Sequence, residues 1–212
     1  MRSAMRDSSH EATEHPALGR GESLPSRIIL VGFMGAGKST VGPLLAKRLG
    51  FTFYDADQYL EQEKGASVAE IFQAHGQSGF RAVEAETIRR LMQFPDLVLA
   101  LGGGALETAS TRILLQDATA TRMIYLQAPA EMLLTRCDQQ SGAQQAGPLP
   151  ARPLLQELRN NLSRLHEKLA SREPHYEAAH LTISTANLTP EQVADRILDA
   201  LHMSPRQEER PR

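Results

Sequence analysis

The chain has 212 residues, of which 41% are hydrophobic, and its formal net charge is −2. These values suit one folded domain and give no general reason to bind nucleic acid or an anionic membrane; no apolar run approaches the ~20 residues that a membrane-spanning helix needs. The one cysteine, Cys137, excludes a disulfide within the chain and is typical of a reducing compartment, so we expect a cytoplasmic protein.

Both ends of the chain are polar and are predicted to be disordered. Residues 1–26 contain no aromatic side chain, and their acidic residues argue against an organelle transit peptide. The segment MSPRQEERPR at residues 203–212 has the same polar character. The predicted folded domain therefore comprises residues 27–202.

Short apolar runs alternate with stretches of helical character along this domain. Because the runs are mostly unbroken rather than alternately polar and apolar, they predict strands that are buried on both faces. The expected fold is a three-layer α/β/α domain around a central five-stranded parallel sheet. The predicted strands are RIILVG (27–32), FTFYD (51–55), LVLALG (97–102), RMIYLQ (122–127) and HLTIST (180–185).

The helices are predicted mainly from the signals at their ends. A capping box at Ser67 and Glu70 begins a short helix that ends near Gly76. A leucine stripe between residues 154 and 169, which ends before Pro174, could indicate a coiled coil, but two heptads are too short and core packing is favoured. The other predicted helices are residues 38–49, residues 79–94, one beginning at Pro129 and one beginning at Thr189.

The glycine-rich turn after the first strand is the most specific motif. The segment GFMGAGKSTVG at residues 32–42 contains Gly-x-x-x-x-Gly-Lys-Ser between a predicted strand and a predicted helix, as a P-loop requires. Its glycines let several backbone N–H groups point at an anion, and the helix N-terminus adds positive potential. Lys38 would reach the β- and γ-phosphates of a nucleoside triphosphate, and the Ser39 hydroxyl would bind Mg²⁺.

Two acidic residues follow the second predicted strand. Asp55 and Asp57 should face the crevice at the carboxyl end of the sheet, where open α/β folds bind ligands. One carboxylate could hold the water shell of the metal, and the other could orient a hydroxyl toward the γ-phosphate. The alternative is that Asp57 simply caps the next helix, which does not account for two acids.

Three further features are ambiguous when each is considered alone. Arg81 and Glu84 are spaced as an ordinary surface salt bridge. The triple glycine at residues 102–104 is either a flexible turn or bare backbone that a ligand can approach closely. Arg172 is either surface charge or a guanidinium that binds a carboxylate.

Residues 137–153 are rich in Gln, Gly, Ala and Pro and predict a mobile surface loop. This loop ends in RPLL at residues 152–155. An arginine on a mobile loop beside a P-loop suggests a lid, whose closure would exclude water and bring Arg152 to the phosphoryl group. A disordered insertion is the alternative.

These motifs, in their order and spacing over residues 28–201, resemble those of shikimate kinase. The resemblance rests on GFMGAGKSTVG, DAD at 55–57, GFR at 79–81 with Glu84, GGG at 102–104, RPLL at 152–155, and Arg172 followed by Pro-x-Tyr. It implies a P-loop kinase fold, related to the nucleoside monophosphate kinases, in which ATP phosphorylates the 3-hydroxyl of shikimate with Mg²⁺ as cofactor.

The resemblance also implies individual roles. Asp57 binds the acceptor hydroxyl and acts as the base, and Lys38 and Arg152 complete the catalytic group. The acceptor site comprises Asp57, Arg81, Glu84, Gly103, Gly104 and Arg172, with the two arginines on the shikimate carboxylate. Ser39 and Asp55 serve Mg²⁺, and ATP binds to Gly35, Ala36, Gly37, Lys38, Ser39, Thr40, Arg136 and Arg152.

The sequence departs from the family pattern at two points. Leu101 stands where the family commonly has Thr or Ser, which removes a hydroxyl near the phosphates. The lid is also longer than usual, which bears on the assignment of Arg136.

Other functions remain open at this stage. A related small-molecule kinase, for instance one that acts on gluconate, would share the P-loop and the acceptor aspartate. A nucleotide-binding regulator or inactive relative should lack the lysine, the acceptor aspartate or the lid arginine, all of which are present. A GTPase is disfavoured because no Asn-Lys-x-Asp motif occurs. The expected partners are small molecules only, and the expected state is a monomer.

Overall fold

The structure, a computed structural model, describes residues 25–143 and 162–201. One sheet of five parallel strands lies at its centre, in the order β2-β3-β1-β4-β5. This confirms the predicted α/β fold, and each predicted strand is present within one to two residues of its expected limits. The strands are β1 (Arg27–Val31), β2 (Thr52–Asp55), β3 (Leu97–Ala100), β4 (Thr121–Gln127) and β5 (Leu181–Ser184).

The described part of the chain contains seven α-helices and one short 3₁₀-helix, Ala105–Glu107. No helix in this part is both long enough and apolar enough to cross a membrane. The α-helices are α1 (Lys38–Leu49), α2 (Ala56–Lys64), α3 (Val68–Leu91), α4 (Ala109–Asp117), α5 (Ala130–Ala143), α6 (Leu162–Glu177) and α7 (Pro190–Ala200).

The strand order places a binding crevice at the carboxyl end of β1. Strand β1 is completely buried at Ile28, Ile29 and Leu30 and pairs with β3 on one side and β4 on the other. The chain leaves β1 toward β2 at one edge and leaves β3 toward β4 in the opposite direction. Ligands bind in open α/β sheets where neighbouring connections diverge in this way. The loops after β1 and β3 therefore meet at this crevice, with the end of β2 beside them.

Most of the predicted helix signals are present. Ser67 and Glu70 form the capping box of α3, and Thr189 with Gln192 forms another at the start of α7. Helix α1 ends at Gly50, which has φ 70°. The two helices predicted on either side of Gly76 are present as the two arms of α3, which are separated at Gly76, where φ 64° and ψ −177° are not helical.

Three predicted boundaries are wrong. The leader was expected to extend to residue 26, but Pro25 is buried and the carbonyl of Ser26 accepts a hydrogen bond from the Leu97 N–H at 3.0 Å. Helix α6 continues through Pro174 to Glu177, because a proline removes one N–H without breaking the rest of the final turn.

The leucine stripe is a core feature where it is described, as expected: Leu165 is fully buried, and Leu169 packs against the same core.

The third boundary concerns the expected loop at residues 137–153. Helix α5 continues to Ala143, so residues 137–143 are helical rather than loop. The buried side chains of Leu133 and Cys137 hold this helix against the rest of the domain, which local composition does not reveal. The remainder of the predicted lid, including Arg152, lies outside the described residues.

Candidate active site

The turn between β1 and α1 has the geometry of a phosphate-binding loop. Gly32, Gly35 and Gly37 have φ values of 139°, 78° and 97°, which favour glycine. A Cβ at Gly32 would lie 2.5 Å from the Leu126 carbonyl oxygen, and one at Gly35 would lie 2.5 Å from that of Leu133. The loop is therefore pressed against β4 and α5, and side chains at these positions would displace it.

Lys38, the first residue of α1, extends back across this loop. Its Nζ atom donates hydrogen bonds to the carbonyl oxygens of Gly32 at 2.8 Å and Phe33 at 2.9 Å. The side chain is buried, so the ammonium group is held within the loop rather than in solvent. This places a positive charge where the sequence predicts the β- and γ-phosphates.

Asp55 connects the phosphate loop to the start of α2. Its Oδ2 atom accepts a hydrogen bond from the Ser39 hydroxyl at 2.6 Å. Its Oδ1 atom accepts from the backbone N–H groups of Asp57 at 3.1 Å and Gln58 at 3.3 Å, so Asp55 is the N-cap of α2. The alternative that Asp57 caps this helix is therefore wrong, because Asp55 already occupies that position.

Arg81 and Glu84 form an ion pair inside the site, and the interpretation as a surface salt bridge is wrong. The Arg81 Nη1 atom donates to Glu84 Oε2 at 2.6 Å, and Glu84 is only 3% exposed. Burial raises the pKa of Glu84 to about 7, although Arg81 lowers it; the nearby charge of Asp57 raises it further. The spacing identified the pair, but only the packing of α3 shows that it faces the crevice.

The triple glycine lies between the acidic and the basic side chains. A Cβ at Gly102 would lie close to the carboxylates of Asp57 and Glu84, and one at Gly104 would lie 2.0 Å from Arg81 Nη2 and 2.9 Å from Arg172 Nη2. The same loop contacts the phosphate loop, because a Cβ at Gly103 would lie 3.5 Å from the backbone nitrogen of Met34. These glycines keep the space between the side chains open.

Arg172 approaches the same loop from α6. It is only 4% exposed, and its guanidinium carbon lies 5.4 Å from the centre of the Phe33 ring. One turn later, the Tyr176 hydroxyl donates a hydrogen bond to the Gly103 carbonyl oxygen, and its ring stacks on Tyr125. Burial raises the pKa of Tyr176 to about 12, so it remains a donor and attaches α6 to the glycine loop.

The sequence analysis missed Glu107, the last residue of the 3₁₀-helix. Its carboxylate accepts hydrogen bonds from Arg81 Nη2 at 2.9 Å, Arg172 Nε at 2.8 Å and Lys168 Nζ at 2.9 Å. Although burial opposes this, the hydrogen bonds from Arg172 and Lys168 lower the pKa of Glu107 to about 2. The only sequence signal was an acid that follows the glycine run by three residues.

Two predicted residues stand apart from this cluster. Arg136, on α5, donates to the hydroxyl and the carbonyl oxygen of Thr185, each at 2.8 Å, at the end of β5. Because α5 also contacts Gly35, Arg136 lies on a helix beside the phosphate loop. Leu101 is 2% exposed and belongs to the hydrophobic core, so its side chain packs inward.

Comparisons with known proteins agree with this geometry. A family model described as shikimate kinase matches residues 34–202. A shikimate kinase of Psychrobacter arcticus is 40% identical over 182 residues, which cover 85% of this chain and 91% of the relative. A solved shikimate kinase from Acinetobacter baumannii, in complex with shikimate, superimposes with a TM-score of 0.70 at 36% identity and covers 85% of this chain and 94% of its own.

A gluconokinase from Sinorhizobium meliloti is more distant. It superimposes with a TM-score of 0.55 at 17% identity and covers 85% of this chain and 94% of its own. This level of identity indicates a shared fold only.

Proposed function

Because the chain belongs to the shikimate kinase family, we propose that it transfers the γ-phosphoryl group of ATP to the 3-hydroxyl of shikimate. The products are shikimate 3-phosphate and ADP, and the reaction is a step in the biosynthesis of chorismate and the aromatic amino acids. One observation carries the proposal: the phosphate loop, Asp57 and the pair Arg81 and Arg172 all border the glycine loop at one crevice.

The acceptor site is proposed from the basic and the glycine residues together. Arg81 and Arg172 present guanidinium groups near Gly104, and two guanidinium groups at one point suit a carboxylate. Gly103 and Gly104 would contact the ring substituents. Glu84 would act indirectly, since its ion pair holds Arg81 in place.

Asp57 is proposed as the catalytic base. Its carboxylate would accept a hydrogen bond from the 3-hydroxyl and turn the oxygen toward the γ-phosphorus. As the new oxygen–phosphorus bond forms, the hydroxyl proton passes to Asp57, and the bond from the γ-phosphorus to the bridging oxygen breaks to leave ADP. Lys38 and the loop N–H groups would stabilise the charge on the transferring group, as would Arg152 on the proposed lid.

Mg²⁺ is proposed as the cofactor, with Ser39 and Asp55 as the residues that would hold it. These two residues suit Mg²⁺ chemically, because a hydroxyl and a carboxylate oxygen lie 2.6 Å apart and Mg²⁺ prefers oxygen ligands of this kind. When bound, Mg²⁺ neutralises charge on the phosphate oxygens. The ATP site would comprise Gly35, Ala36, Gly37, Lys38, Ser39, Thr40, Arg136 and Arg152.

The remaining features of the proposal concern organisation. We propose one kinase domain that extends to residue 202. Residues 1–24 of the predicted leader, the end of the predicted lid near residue 153 and the predicted tail at residues 203–212 lie outside the described residues. The proposed state is a cytoplasmic monomer with no nucleic-acid or membrane partner. The one cysteine in the sequence, Cys137, is buried and cannot form a disulfide within the chain, which supports a reducing compartment.

A coupled assay of ADP release tests the substrate. Shikimate, gluconate and nucleoside monophosphates are compared as acceptors with ATP and Mg²⁺. Of these three acceptors, we expect only shikimate to be turned over, because Arg81 and Arg172 match a rigid cyclic acid. Absence of turnover with shikimate would reject the proposal, and turnover with gluconate would favour the related kinase instead.

A further inference from the structure

We propose that Glu107 is a positioning residue that joins Arg81 and Arg172 into one carboxylate-binding unit and thereby sets the affinity for the acceptor acid. The inference rests on the proposed function, since it concerns how the acceptor carboxylate is held. Glu107 would not touch the acceptor. It would act through the two arginines.

The contacts of Glu107 are divided between its two oxygens. Oε2 accepts from Arg81 Nη2 on α3, and Oε1 accepts from Arg172 Nε and Lys168 Nζ on α6. The carboxylate therefore links α3 and α6, two helices that are distant in sequence. Through this link the spacing of the two guanidinium groups depends on Glu107.

The edge of Arg172 that Glu107 contacts supports a positioning role rather than competition for the acceptor site. Glu107 takes the Nε position, whereas Nη1 and Nη2 face the glycine loop: they lie 3.7 Å from a Cβ placed on Gly103 and 2.9 Å from one placed on Gly104, respectively. A planar guanidinium can bind a carboxylate through two N–H groups at once. Glu107 thus holds Arg172 from behind and leaves its other edge toward the proposed acceptor.

The positive charges around Glu107 also favour its role as a positioning residue. Three cations, Arg81, Lys168 and Arg172, lie within hydrogen-bond distance of one carboxylate and would repel one another without it. The pKa of Glu107, lowered to about 2, keeps it ionised at any pH at which the enzyme would work. The link that Glu107 makes between Arg81 and Arg172 should therefore be insensitive to pH in the neutral range.

The backbone around Glu107 is itself held in place. Its N–H donates to the Gly104 carbonyl oxygen at 3.0 Å, and its own carbonyl oxygen accepts from Arg112 Nη1 at 3.0 Å. The 3₁₀-helix therefore places the carboxylate at a set distance from the glycine loop. A positioning residue needs such a rigid support to orient other side chains.

The test uses Glu107→Gln, which keeps the shape and removes the charge, and Glu86→Gln as the matched control on an exposed salt bridge of α3. Steady-state kinetics with shikimate and ATP should give a KM for shikimate that is roughly tenfold higher in E107Q, with kcat and the KM for ATP within about twofold of wild type. E86Q should match wild type in all three. Thermal melting of each variant checks that E107Q is folded, and Glu107→Asp replaces it if it is not.

A double variant shows whether the effect passes through the arginine. In an Arg172→Ala background, E107Q should raise the KM for shikimate by less than about twofold, because Glu107 then has no second arginine to join to Arg81. An unchanged KM in the single variant, a lower KM, or the full tenfold effect in both backgrounds would each overturn the inference. If wild type turns over ATP with another acceptor but not with shikimate, the proposed function fails and this inference fails with it.

Discussion

Asp57 and Glu84 approach the same point of the backbone from two different helices. A Cβ on Gly102 would lie 2.8 Å from Asp57 Oδ1 and 2.8 Å from Glu84 Oε1. Asp57 lies in the first turn of α2, and Glu84 lies within α3 beside Arg81. Of the two side chains, Glu84 is the more deeply buried. Burial raises its pKa to about 7, so its carboxyl takes up a proton near neutrality.

Asp57→Asn tests the proposed base. We expect kcat to fall by about 10²- to 10⁴-fold, because the amide keeps the shape of the side chain but cannot accept the hydroxyl proton. Binding of ATP, measured by isothermal titration calorimetry, should stay within about twofold of wild type because the phosphate loop is unchanged. Asp117→Asn, at the end of α4, is the control for loss of an acid elsewhere. Turnover near the wild-type rate would remove Asp57 from the mechanism.

Glu84→Gln tests the raised pKa through stability. Because the folded state holds the Glu84 proton more tightly than the unfolded state, with a pKa of about 7 against 4.5, its contribution is complete below pH 4.5 and is lost as pH rises through 7. Wild type should therefore lose stability relative to E84Q over this window, by up to about 1.4 kcal/mol per pH unit.

Urea unfolding of both proteins between pH 4.5 and pH 8 measures this difference in the free energy of unfolding. Glu86→Gln, on the exposed face of α3, should not become more stable than wild type as pH rises, because the hydrogen bond with Arg89 lowers the pKa of the Glu86 carboxyl. A constant difference between wild type and E84Q across the range would contradict the raised pKa.

Gly104→Ala tests the close approach of the two arginines. The new methyl group would lie 2.0 Å from Arg81 Nη2, so the guanidinium group must move. Alanine can adopt the φ of −108° at Gly104, but the displaced Arg81 must loosen its ion pairs with Glu84 and Glu107, so the free energy of unfolding should fall by about 1 to 3 kcal/mol. The KM for shikimate should rise by roughly tenfold while the KM for ATP does not change. Equal effects on both substrates would indicate a general distortion of the site.

Asp55 permits its two roles to be separated by two substitutions. Asp55→Asn keeps a good N-cap for α2 and should leave the free energy of unfolding within about 0.5 kcal/mol of wild type, whereas Asp55→Ala should cost about 1 kcal/mol. Both remove the carboxylate next to Ser39 and should raise the Mg²⁺ concentration needed for half-maximal activity. Urea unfolding and a Mg²⁺ titration of turnover provide the two measurements. Wild-type Mg²⁺ dependence in both variants would exclude Asp55 from the metal site.

The predictions that were confirmed depend on local patterns. Unbroken apolar runs identify parallel strands because both faces of such strands are covered. The capping box at Ser67 and the Thr189-Pro190-Glu191 segment mark helix starts, since Ser67 and Thr189 satisfy N–H groups that no neighbouring turn can reach. The conformation of the phosphate loop follows from glycines with positive φ. In each case the chemistry lies within a few consecutive residues.

The predictions that were wrong concern positions where distant packing overrides local composition. Residues 137–143 look like loop, but Leu133 and Cys137 bury one face of α5 and the helix continues. Arg81 and Glu84 look like a surface pair, because a spacing of three residues defines a helical face but not its surroundings. Glu107 was missed altogether, since its partners come from α3 and α6.

The sequence by itself determined the class of sheet, the phosphate loop and the list of acids and bases available for chemistry, because these depend on hydrophobic pattern, glycine conformation and residue type. Only the tertiary structure decided which acid caps α2, which acid has its pKa raised by burial, and which carboxylate links Arg81 to Arg172. These outcomes depend on distances between residues far apart in the chain, and such distances exist only after the helices have packed against the sheet.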